Sequence, residues 1–147
     1  MSAATVRKRA LERIEKQWPG APVHIAKKTL RWVFKDGERI PRSIAEDLFA
    51  CLDALVLHAD GLVGIQWTDA TSASRRRHKV EQALDPLIAA VFAPMLPPDY
   101  PRRIAWSSVL GGGPLRGWLR IEVWGWKPRQ PFLVWRWKGG DQWERIE

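Results

Sequence analysis

The stretch from Gly117 to Ile146 constrains the fold most. Three short apolar runs, Gly117–Trp126, Phe132–Trp137 and Gln142–Ile146, are separated by Lys127-Pro128-Arg129-Gln130 and Gly139-Gly140-Asp141. Runs this short, bounded by Pro and Gly, read as strands joined by tight connections. A further run, Ile104–Leu110, leads in through Gly111-Gly112-Gly113-Pro114. The spacing predicts an antiparallel meander of three to four strands, because neighbouring antiparallel strands need only a short link.

Within Gly117–Trp126, Leu119, Ile121 and Val123 alternate with Trp118, Arg120, Glu122, Trp124 and Trp126. Strand side chains alternate between faces, so the aliphatic set turns towards covering helices and the mixed set shares the other face. In the next strand Leu133, Trp135 and Trp137 form the apolar phase, and Phe132, Val134, Arg136 and Lys138 the mixed one. If the mixed phases align, one face carries Trp118, Arg120, Trp124, Trp126, Arg136 and Lys138.

The preceding part reads as helix-rich. Ser2 can cap a first helix through Trp18, whose stripe is Val6, Ala10, Ile14 and Trp18, and Pro19-Gly20 ends it. Val23, Ile25, Leu30, Trp32 and Phe34 suggest strands, with Lys35-Asp36-Gly37-Glu38 as a hairpin turn and a helix over residues 23–34 as the competing reading. Ser43 followed by Glu46 forms a capping box, which predicts a helix with Ile44, Leu48, Cys51, Leu52 and Leu55 on its apolar face and Gly61 just past its end. Leu62–Trp67 reads as a short strand. Thr71 or Ser72 can cap a third helix with Val80, Leu84, Leu87, Val91 and Met95 along one side. Asp85-Pro86 suits an N-cap followed by Pro, which predicts a kink or a break there. The expectation is therefore a single α+β domain over 1–147. About three helices in a helix-rich part, 1–98, pack on a Trp-rich sheet part, 102–147.

Composition points towards binding rather than catalysis. The chain carries a net charge of +8, concentrated in its two ends, and ten Trp against one Tyr and four Phe. A positive field attracts polyanions. Indoles stack on bases while Arg and Lys neutralise phosphates. The face of Trp118, Arg120, Trp124, Trp126, Arg136 and Lys138 therefore suits single-stranded nucleic acid or RNA. Arg75, Arg76 and Arg77 add phosphate contacts, since cations at the start of a helix oppose its dipole and favour an anionic partner. The same Trp and Arg residues suit a protein interface equally well, as in a small inhibitor or accessory subunit of a nucleic-acid-handling complex. Aromatic cross-strand pairs as plain sheet stabilisers are the bland alternative.

Catalytic and metal chemistry finds little support. Cys51 is the only cysteine, which excludes an intrachain disulfide and a Cys-based zinc site. His58, Asp60 and Asp53 gather at a predicted helix end, and Asp99, Glu122 and Lys127 only loosely resemble an acid-plus-lysine nuclease site, because Trp124 stands where that pattern has Lys. No cofactor is implied. The longest apolar stretch, Leu87–Leu96, is interrupted by Pro94 and falls short of a membrane span. The N-terminus has no secretory pattern, so the expected location is cytoplasmic. The expected partner is nucleic acid or a protein complex, and Trp-rich strand edges are compatible with a homodimer.

Overall fold

A computed structural model describes residues 2–45, 47–49, 51–59, 61–92 and 119–147. The elements run α1 (Ala3–Gln17), β1 (Val23–Ile25), β2 (Lys28–Lys35), β3 (Glu38–Ala45), β4 (Ala54–His58) and β5 (Gly61–Asp69). A 3-10 turn (Ala70–Ser72), α2 (Ala73–Phe92), β6 (Leu119–Trp126), β7 (Leu133–Gly139) and β8 (Gln142–Arg145) follow. Six strands form one mixed sheet in the order β1-β4-β5-β6-β7-β8, and β2 and β3 form a separate two-stranded sheet. The β5–β6 pair is parallel and the other pairs are antiparallel. Parallel neighbours need a crossover, which contains α2.

The helices cover opposite faces. Ser2 caps α1, its hydroxyl accepting from the Thr5 amide at 3.2 Å. Val6, Ala10 and Ile14 are buried, with Ala10 and Ile14 packing on Ala54, Val56, Val63 and Ile65. On the other face Val80 and Leu84 of α2 meet Ile121, Val123 and Trp137. The aliphatic phase of β6 thus faces a helix, as its alternation predicts. The register Glu122↔Arg136 and Trp124↔Val134 aligns the two mixed phases.

The α+β class holds, but its arrangement differs from the expected helices-then-meander order. The described residues contain two helices, and β1, β4 and β5 from the first half belong to the same sheet as β6–β8. The meander over β6–β8 is present. The helix predicted from the Ser43–Glu46 box is replaced by the end of β3, a turn and β4. Ser43 pairs with Leu30 in an eight-rung ladder from Lys28↔Ala45 to Lys35↔Glu38. The Leu52 amide then closes a turn on the Leu48 carbonyl at 2.9 Å, with Phe49 at a φ of 51°. An N-cap is worth about 1 kcal/mol. A continuous ladder and the burial of Ala54 and Val56 outweigh it. Of the kink or break expected at Pro86, the break is absent, since α2 runs through it. The Asp36-Gly37 turn forms with φ values of 52° and 78°, as a two-residue hairpin requires. Ile104–Leu110 and Met95 lie outside the described residues. No helix among the described residues is long and apolar enough to cross a membrane.

Candidate functional site: a polar cleft at the end of β5

Asp53 lies just before β4, whose first rung is Ala54↔Ile65. Its amide donates to the Ile65 carbonyl at 2.8 Å, which holds it next to Gln66. Asp53 Oδ2 accepts from Gln66 Nε2 at 2.5 Å and from the Trp67 amide at 2.8 Å. Burial, opposed by the Trp67 amide, pushes the Asp53 carboxyl up to about 7. Both donors reach Oδ2.

Around this pair opens a cleft of about 480 Å³ where β5 ends and the first turns of α1 and α2 converge. Its charged lining is Arg7, Arg76 and Lys79 against Asp47, Asp53 and Asp69. Lys79 Nζ lies 2.5 Å from Asp47 Oδ2. Asp69 caps the turn into α2, accepting from the Thr71 hydroxyl and from the Ser72 amide at 2.9 Å. The Thr71 bond above all holds its carboxyl below the usual range. With Asp53 protonated, three cations face two carboxylates.

Two polar atoms in the walls remain unsatisfied. Gln66 is 2% exposed, and its Oε1 has no hydrogen-bond partner among the described residues. The same is true of Arg76 Nε, which is also buried. An unpaired buried polar group costs about 1–3 kcal/mol. An acceptor and a guanidinium donor thus stand unsatisfied in the same cleft wall.

The residues expected from sequence divide between places. Arg76 lines the polar cleft. Arg75 is exposed beside it, and Arg77 turns to the sheet, its guanidinium 4.7 Å from the Trp135 ring. Trp124 is 0% exposed. Trp18 stacks on it at 6.3 Å, and Arg13 lies 4.8 Å from its ring centre. Burying an indole removes roughly 150–250 Å² from water, or about 4–6 kcal/mol at 25 cal per Å². Stacking on a base returns about 1–3 kcal/mol, so Trp124 stays in the core. Arg136 is committed to Glu122 at 3.2 Å and Lys138 to Glu144 at 3.0 Å. Glu122 also accepts from Trp124 Nε1 at 3.1 Å. Arg120 is half-buried on that face. Trp126 lines a second groove of about 670 Å³ with Arg9, Lys16 and Arg129. Trp118 lies outside the described residues. The aligned face is thus real, but α1 and its ion pairs close most of it.

His58 and Asp53 do not gather at a helix end. They stand at opposite ends of β4, with His58 stacked on Trp18 at 5.6 Å. Asp60 and Asp99 lie outside the described residues. Cys51 is buried, and that burial pushes its thiol up to about 12, leaving it inert as a small core residue. Among the described residues no three His, Cys, Asp or Glu side chains are grouped to hold a metal ion. Gln66 and Thr68 are missed by a reading centred on the Trp-rich strands. Their signal is a polar pair at alternate positions inside the apolar run Val63, Ile65 and Trp67, ending on Asp69. No family model, curated protein or solved structure matches the chain.

Proposed function

We propose that this chain binds nucleic acid, with Arg76 taking phosphate oxygens at the polar cleft and Arg75 lying on the approach. The observation that carries this reading is the unsatisfied pair in the cleft wall, Gln66 Oε1 and Arg76 Nε. Arg76 supplies a planar donor fork suited to phosphate. Lys79 and Arg7 add positive charge. The net charge of +8 brings a polyanion to the surface. The half-buried Trp126 remains as an aromatic contact beside Arg129, whereas Trp124 belongs to the core.

The test is fluorescence anisotropy of labelled single-stranded DNA, duplex DNA and RNA at 50 and 200 mM salt. Each phosphate contact contributes about −0.9 to the log–log salt slope for duplex and −0.7 for single strands. Arg76→Ala should therefore flatten the slope by about one contact, while Lys138→Ala, whose partner is Glu144, should leave it nearly unchanged. Weak binding that is equal for all polymers, vanishes at 200 mM salt and ignores Arg76→Ala would overturn the reading.

A further inference from the structure

We infer that the β2–β3 hairpin is an arm that pushes Trp32 and Phe34 against the base stack of double-stranded DNA held at the polar cleft, an inference that rests on the nucleic-acid reading above. The hairpin forms its own two-stranded sheet, hydrogen-bonded to no other strand among the described residues. A two-stranded hairpin has no core of its own and is marginal in water unless something covers it. Its register puts Trp32 opposite Pro41 and Phe34 opposite Arg39, so these four share one face. Trp32 is 53% and Phe34 80% exposed. The Arg39 guanidinium lies 4.9 Å from the Trp32 ring centre. Ile40, on the opposite face, is 37% exposed.

Charge selects the occupant. Residues 28–45 contain Lys28, Arg31, Lys35, Arg39 and Arg42 against Asp36 and Glu38. The hairpin is thus net positive by three, and a duplex offers phosphates along its groove rims and, at a step opened by a wedge, base faces. The shape agrees. Eight residues per strand span about 26 Å at 3.3 Å each, and a two-residue turn keeps the tip slender. Strand pairs are used in the major or the minor groove, and from the minor groove apolar wedges such as Phe unstack a base step at a cost of a few kcal/mol and bend the duplex.

The arm is rooted at the cleft. Ile25 and Ala26 before β2 and Asp47 after β3 line it, and the Ala26 amide donates to the Asp53 carbonyl at 2.8 Å. A duplex whose backbone meets Arg76 thus lies at the foot of the hairpin, with Trp32 and Phe34 carried out along its grooves.

The experiment measures binding and end-to-end energy transfer on a doubly labelled 20-base-pair duplex. Wild type, Phe34→Ala, Trp32→Ala/Phe34→Ala and Phe34→Trp are compared, with Arg76→Ala as the cleft variant. The expected result is a bend with wild type and Phe34→Trp. The double variant should lose the bend and bind about tenfold more weakly, with its salt slope unchanged. Arg76→Ala should flatten the slope and keep the bend. Binding and bending by the double variant equal to wild type would overturn the arm while leaving the nucleic-acid reading intact. So would a wild-type dimer that Phe34→Ala dissociates, since the hairpin would then face a second copy. Failure of the wild type to bind any nucleic acid would overturn both.

Discussion

Replacing Asp53 by Asn tests the cleft through stability alone. The wild-type carboxyl releases its proton near 3.8 when unfolded and near 7 when folded. Between those values the folded state binds more protons, so wild-type stability falls as pH rises. Above about pH 7 the folded chain carries the whole cost of an ionised, buried carboxylate. At 1.36 kcal/mol per pH unit, that cost has an upper limit of about 4 kcal/mol. Access from the cleft to water reduces it. Asparagine has the same shape, cannot ionise, and can still accept through its oxygen from Gln66 Nε2 and the Trp67 amide. Asp53→Asn should therefore match wild type near pH 4 and become progressively more stable relative to it up to pH 7–8, by about 1–4 kcal/mol. The assay is urea denaturation followed by tryptophan emission at pH 4.5, 6, 7.5 and 8.5, with both proteins in the same buffers. Every other group titrates in both proteins and cancels to first order. A difference that stays flat across this range would refute the placement of Asp53 in a desolvated site.

Further outcomes follow from the core. Gly64→Ala should cost about 1–3 kcal/mol, because its new Cβ would meet Leu52 Cδ1 at 2.7 Å and Ile121 Cδ1 at 3.0 Å; thermal melts would read this as a lowered Tm. Arg136→Met should destabilise by about 3 kcal/mol or more by stranding Glu122, which is 4% exposed. The double variant Arg136→Met/Glu122→Gln should recover part of that loss in the same melts.

Local signals in the chain were legible where they were consistent with one another. The Ser2 cap and the Val6/Ala10/Ile14 stripe fix α1, Asp36-Gly37 fixes the hairpin turn, and the alternation from Leu119 to Trp126 fixes which phase meets a helix. Residues 43–55 mislead because Ser43 and Glu46 spell a helix start while Leu48, Leu52 and Leu55 fall at helical spacing. Only pairing with residues 28–30 on one side and with β5 on the other reveals the strands. That misreading hides the Asp53–Gln66 pair, since two residues thirteen apart become neighbours only once β4 and β5 form a ladder. Trp124 is placed on the correct face, but nothing near it in the chain tells that α1 will lie across that face. Arg75–Arg77 stand out as a charged run. Their division, with Arg76 at the cleft and Arg77 over Trp135, depends on the helical turn and on the sheet beneath it.

The parallel pairing of β5 with β6 also has a consequence for synthesis. β5 can pair with β4 as soon as both have emerged, yet its other edge waits for β6, which starts at Leu119, fifty residues beyond Asp69. At roughly 5–20 residues per second, that edge stays open for about 3–10 s. Val63, Ile65 and Trp67 lie along it, an apolar strand of the kind that recruits other chains. The nascent protein is therefore most vulnerable to aggregation late in its making, after most of its strands exist and before the sheet has closed.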